Sequence, residues 1–172
     1  MLKENIQESI NSQINAEIYS AYLYLSMSAY FGGINLPGFA NWMKVQAQEE
    51  MTHAMKFFYY VIDRGGKVEL LPIQGPPTQW NSPLEAFIDT LKHEEIVTDR
   101  INKMVDLAIA ESDHATNNLL QWYVAEQVEE EANPTAIINK LKLSENAPAG
   151  IFMIDQELAA RVFVDATLTA QA

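Results

Sequence analysis

The chain has 172 residues, 48% of them hydrophobic, enough to bury a core and most simply read as one domain spanning 1–172. With 23 acidic against 11 basic residues the net charge is −12, which excludes a phosphate-binding basic face and favours cations over nucleic acid as partners. The absence of cysteine excludes disulfides, zinc–thiolate sites and thiol nucleophiles, and it fits a reducing, cytoplasmic setting. The opening Met-Leu-Lys-Glu-Asn-Ile-Gln-Glu is amphipathic and acidic, unlike a secretory signal. The most apolar run, Ile18 to Phe31, is too short and too polar to span a bilayer, so no membrane partner is expected.

Steps of three and four residues predict four long helices. The first runs from about Asn5 to Phe31 and stops at Gly32-Gly33, with an inward seam of Ile6, Ile10, Gln13, Glu17, Ser20, Tyr24, Met27 and Phe31. The second begins near Pro37 and ends before Gly65-Gly66; its seam is Phe39, Met43, Gln46, Glu50, His53, Phe57 and Tyr60. The third carries the clearest start signal, Ser82-Pro83-Leu84-Glu85, and should end near Ala110. Its seam is read as Leu84, Phe87, Leu91, Glu94, Thr98, Ile101, Val105 and Ala108. The fourth is capped by Ser112 or Asp113 and presents Thr116, Leu120, Tyr123, Gln127, Glu130, Pro134, Ile137 and Leu141, with a kink or break expected at Pro134. The segment Ile151 to Val162 reads as a short fifth helix.

The linker between the second and third helices, about Gly65 to Asn81, sets the topology. Its roughly 17 residues reach about 56 Å when extended, against about 42 Å for the second helix. It can therefore cross the full bundle length. The expected fold is all-α, a four-helix bundle with one long crossover plus a short fifth C-terminal helix.

All four seams place a polar group at mid-length, and none carries Lys or Arg. Buried carboxylates crowded together are costly unless something positive joins them, and a bound cation supplies that charge. Glu17 and Glu94 give one carboxylate each, Glu50 and His53 form a Glu-x-x-His pair, and the fourth helix offers the run Glu126-Gln-Val-Glu-Glu-Glu. Taken singly, an acidic run is usually a solvated face and a Glu-x-x-His pair is weak; together on four helices they specify a metal site. Oxygen and imidazole ligands suit iron, manganese and zinc alike. By position His93 reads as a surface or interface residue and His114 as a loop or cap residue.

The stretches Asn15-Ala-Glu-Ile-Tyr-Ser-Ala-Tyr-Leu-Tyr-Leu, Gly38-Phe-Ala-Asn-Trp-Met, Gln48-Glu-Glu-Met-Thr-His-Ala and Trp122-Tyr-Val-Ala-Glu-Gln-Val-Glu-Glu-Glu resemble those of the non-haem ferritins of bacteria and archaea. The resemblance spans Gln13 to Glu131. It implies an iron-storage protein with ferroxidase activity, oxidising Fe(II) with dioxygen or peroxide at a di-iron site and storing Fe(III) mineral in a hollow homo-oligomeric shell of about 24 subunits. Carried over, one iron is held by Glu17, Glu50 and His53, and the second by Glu50, Glu94 and Glu130. Gln127 and Tyr24 line the same site as hydrogen-bonding groups. A third iron position corresponds to Glu49, Glu126, Glu129 and Glu130.

Met51 invites comparison with the haem-binding Met of bacterioferritins, but Glu130 stands where those proteins carry a second Glu-x-x-His histidine, so no haem is predicted. The acidic pore residues of animal ferritins are replaced here by Asn117, Asn118, Leu119 and Leu120. Trp42, Tyr30 and the exposed face of the crossover are candidates for subunit contacts. Three rivals carry less weight. A di-iron enzyme acting on peroxide or an organic substrate would need a pocket, and its rubrerythrin-like form a cysteine-ligated iron. A miniferritin-type DNA protector would split its ligands between subunits. A purely structural bundle would leave the acidic stripe in solvent.

Overall fold

The computed structural model describes residues 2–144 and 147–169. Its helices are α1 (Glu4–Gly33), α2 (Pro37–Asp63), α3 (Pro83–Ala110), α4 (His114–Leu143), α5 (Pro148–Leu158) and a single turn, α6 (Ala166–Thr169). No strand occurs among the described residues. Short turns fold α1 back on α2 and α3 back on α4. Residues 64–82 carry no helix and are pinned along α1: Lys67 N–H donates to Gln7 (2.7 Å), Asn11 donates to the Lys67 carbonyl (3.0 Å), and Ser26 reaches the Pro77 carbonyl. The linker thus travels the bundle and starts α3 beside the start of α2. This is the four-helix bundle with one long crossover that chain length required.

Local chemistry explains most boundaries. Ser82 accepts from Glu85 N–H (3.1 Å), while the Glu85 carboxylate takes the Asn81 N–H in return, closing the start of α3 from both sides. Asp113 caps α4 by accepting from Thr116 N–H (3.1 Å) and is itself clamped by Arg64. Three boundaries differ from expectation. α1 runs through both glycines, and the reversal falls on Asn35, whose φ of 59° suits an Asn. α4 continues unbroken through Pro134; the ring is buried, and Thr135 Oγ1 donates to the Glu131 carbonyl (2.7 Å) beside the missing bond. α5 ends at Leu158 rather than Val162, which lies exposed in the following coil.

The seams of α1 and α4 are buried throughout, and that of α2 is buried except for half-buried Tyr60. On α3 the inward line is Phe87, Thr90, Glu94, Val97, Ile101, Met104 and Ala108, while Leu84, Leu91, Thr98 and Val105 are half-buried. Both lines satisfy a three-four spacing through Phe87, Glu94, Ile101 and Ala108, and they differ by one position in between. The apolar core falls into two clusters. One holds Phe31, Phe39, Trp42 and Phe87, the other Ile10, Phe57, Ile101 and Tyr123. Glu17, Glu50, Glu94 and Glu130 belong to neither, and they lie between. Trp42 belongs to the first cluster and is buried, which removes it as a candidate for subunit contacts.

At one end α5 docks on the start of α2. The Asp155 carboxylate accepts from the N–H groups of Gly38 (2.7 Å) and Phe39 (3.1 Å), meeting the positive end of that helix. The backbones approach so closely that a Cβ on Gly38 would lie 1.7 Å from the Asp155 carbonyl oxygen.

Candidate metal centre

Each long helix brings one carboxylate inward at mid-length. Glu17, Glu50, His53, Glu94 and Glu130 are all buried, between 1% and 5% exposed. Three sets of ligand atoms lie within 4.8 Å of one another: Glu17, Glu50 and His53; Glu50, Glu94 and Glu130; and His53, Glu126 and Glu130. Glu50 is common to the first two sets. Ligands about 2.0–2.2 Å from one ion lie up to roughly 4 Å apart, so small side-chain movements would close each set.

Hydrogen bonds orient this cluster without neutralising it. Gln13 donates to Glu17 (2.8 Å), and Gln46 donates to both Glu50 (3.2 Å) and Glu130. Tyr24 Oη donates to Glu94, and Gln127 bonds Thr98 (3.1 Å) and the Glu94 backbone carbonyl (3.3 Å). His53 Nδ1 lies 3.4 Å from Glu50, and its Nε2 lies 3.8 Å from Glu126. The imidazole packs edge-on against Trp122, and its backbone carbonyl accepts from Tyr123. One atom is left over: Glu17 Oε2 is buried with no hydrogen-bond partner among the described residues. A buried lone pair without a partner costs about 1–3 kcal/mol. A cation among these oxygens fits that vacancy in the bonding.

The electrostatics point the same way. Burial, then the neighbouring Glu50, pushes the Glu17 carboxyl up to about 8. Burial and Glu130 raise Glu50 well above the carboxylate range, and burial and Glu50 do the same to Glu94. Glu130 is raised by burial and Glu94. Burial and crowding together favour protons on these groups unless a cation joins them.

The ferritin family of ferritin-like domains matches residues 7–144 of the sequence. The chain belongs to the ferritin family. A bacterial non-heme ferritin of Bacteroides fragilis is 47% identical over 161 residues, 94% of this chain and all of that one. One of Escherichia coli is 40% identical over 159 residues, 92% of this chain and 96% of that protein. Among solved structures, an open pore ferritin from the hyperthermophilic archaeon Archaeoglobus fulgidus superposes with a TM-score of 0.93 at 52% identity, covering 94% of this chain and all of that one. An engineered closed form of the same archaeal ferritin gives 0.94 at 53%, covering 95% of this chain and all of that one. Iron storage with ferroxidase activity is the general function of ferritins, and members of the family bind iron.

Within this ferritin chain, the outer acidic residues fall in different places. Glu126 is half-buried and faces His53, whereas Glu129 is exposed and joins none of the three sets. Glu49 is half-buried and is paired with Arg161 instead. His93 is half-buried and bridges α1 and α3, bonded to Ser20 Oγ (2.7 Å) and packed against Tyr19 and Tyr24, with its imidazole pushed down to about 4 by burial and then by Arg100. His114 opens α4 at the surface, as its position implied. Sequence reasoning gave no role to Arg100 and Arg161, which donate to the side-chain amide oxygens of Gln13 (2.8 Å) and Gln46 (2.9 Å). A signal for the glutamines existed, since each stands four residues before a cluster Glu. None existed for the arginines, which come from the edge of α3 and from coil.

Proposed function

We propose that this chain is a single ferritin-like domain over 1–172 that acts as an iron-storage ferroxidase, assembled as a hollow shell of about 24 copies in the cytoplasm. The observation that carries this reading is the meeting of four buried carboxylates from four helices, with one oxygen unpartnered among the described residues. Two Fe(II) ions are the substrates. Glu17, Glu50 and His53 would hold one, Glu50, Glu94 and Glu130 the other, with Glu50 shared. An outer third position would use Glu126 and Glu130, with Glu49 and Glu129 as further carboxylates within reach of side-chain movement.

Each step assigned to the chain follows from its own groups. Binding displaces the protons that crowding holds on the carboxylates, so uptake releases protons. Tyr24 and Gln127 fix Glu94, and Gln46 fixes Glu50 and Glu130, so the ligands are oriented before iron arrives. Hard anionic oxygen ligands favour Fe(III) over Fe(II), which assists loss of one electron from each ion to dioxygen or peroxide. The cleft that reaches Gln127, lined by Thr98, Ile101, Val124 and Glu131, has a volume of about 310 Å³. That is at the low end for an organic substrate, roughly 300–1,000 Å³, and it suits small species.

Aerobic addition of Fe(II) followed by near-ultraviolet absorbance tests the reading. The wild-type protein should oxidise Fe(II) faster than buffer, Glu50→Ala should not, and the assembly should elute near half a megadalton. Equal rates for wild type and Glu50→Ala would overturn it.

A further inference from the structure

Glu49 lies beside Glu50 in sequence and one helical turn before His53 on α2. Its carboxylate nevertheless joins none of the three ligand sets. Arg161 Nη2 holds it instead. The other guanidinium nitrogen, Nη1, donates to Gln46 Oε1 at 2.9 Å and to the Trp42 carbonyl at 3.4 Å, and the group lies over the Trp42 ring, 4.4 Å from its centre. The Arg161 backbone is fixed too, its carbonyl accepting from Asn41 Nδ2 at 2.9 Å. Both partners of the Arg161–Glu49 pair are only about a fifth exposed, 20% and 19%. A planar fork so placed is not a loose surface charge.

The second contact has a consequence inside the cluster. An amide bound through its oxygen must turn its NH2 the other way. Arg161 takes the oxygen of Gln46, and the Gln46 NH2 faces Glu50 and Glu130. Arg100 does the same to Gln13, whose NH2 faces Glu17. In both places a cation stays at the rim and a neutral amide carries its orienting influence inward.

We propose that Arg161 is a tethered counter-cation and a positioning residue: it competes with iron for Glu49, so that the outer position gains this ligand only when the guanidinium is displaced, and it orients Gln46 toward Glu50 and Glu130. The proposal rests on the metal-centre reading above. Displacement needs only the side chain to swing away, since the Arg161 backbone is held separately, by Asn41 Nδ2 on its carbonyl and by its own N–H on the Leu158 carbonyl. While paired, Arg161 cancels one negative charge at the mouth of the inner cluster, so the two inner ions are favoured over the outer one.

Anaerobic calorimetric titration of the assembled protein with Zn(II), which has no redox chemistry, counts ions without requiring turnover. Wild type should bind two ions tightly per subunit and a third more weakly. Arg161→Gln should tighten the third about ten- to a hundredfold, while weakening the inner two by a smaller factor because Gln46 loses the contact that orients it toward Glu50 and Glu130. Arg161→Lys, which keeps the charge but loses the fork, should retain the weak third site. Adding Glu49→Gln to Arg161→Gln should abolish the gain. An unchanged or weaker third ion in Arg161→Gln, or a gain that survives in the double variant, would overturn the proposal. A wild-type protein that takes up no tight ions, with Glu50→Gln titrating identically, would overturn the metal-centre reading and this inference with it.

Discussion

A carboxyl group sealed among helices and surrounded by its own kind is a poor anion, and that is what makes it a good receptor for a multivalent ion. The metal-free cluster stores unfavourable energy that a cation releases. Glu50→Gln should therefore act in opposite directions on two measurements. Fe(II) oxidation should fall at least about ten- to a hundredfold, the range seen when groups around a metal are changed. The melting temperature of the metal-free protein at pH 8 should rise, because a carboxyl whose proton affinity burial has raised no longer has to take up a proton on folding. Tyr24→Phe removes only the donor to Glu94; it should weaken metal binding in calorimetry without lowering the yield of folded protein. At this scale the sequence was informative where spacing is local. Glu50 and His53 share a helix face because they are three apart, and Glu17 and Tyr24 because they are seven apart. Arg161 was not legible, since its contact with Glu49 crosses the chain from a coil with no periodicity. Glu129 was placed on the family's pattern alone, and its side chain is exposed on α4.

Among the elements, the caps were readable because their chemistry is confined to four residues. Ser82→Ala should cost about 1 kcal/mol, seen as a lower melting temperature with metal binding intact. Elsewhere tertiary packing overruled local preference. Two adjacent glycines are a weak helix terminator when the helix is anchored by Phe31 in the core, so the turn moved on to Asn35. Pro134 likewise did not end α4, because Ile137, Ile138 and Leu141 beyond it are buried against neighbouring elements. On α3 the apolar residues Leu84, Leu91 and Val105 fitted the expected seam as well as Val97 and Met104 fitted the observed one. Periodicity fixed the shared positions, including Glu94, and left the intermediate ones ambiguous.

For the whole molecule, topology was legible because reach is a matter of arithmetic: a long linker and two short turns allow few arrangements of four rods. The consequence for stability is a core divided by a polar layer. Glu17 holds its proton to about pH 8 when folded, against an ordinary value of 4.5 in the open chain. Between those limits the folded state binds more protons than the unfolded one, so stability should decline as pH rises from about 4.5 to 8, with the other raised carboxyls of the cluster adding to the fall. Calorimetric melting of the metal-free protein across that window checks the sign. Saturating Zn(II) should flatten or reverse the trend, since the ion replaces the protons and binds only the assembled cluster.

The missing side chain at position 38 acts as a gauge for the far end of the chain. Because α5 rests directly on that bare backbone, the segment that follows it, Arg161 included, is set at a height which a single added methyl would change. Gly38→Ala would thus wedge the terminal segment outward and slacken the guanidinium's grip on Glu49, altering ion uptake from a place that touches no ion.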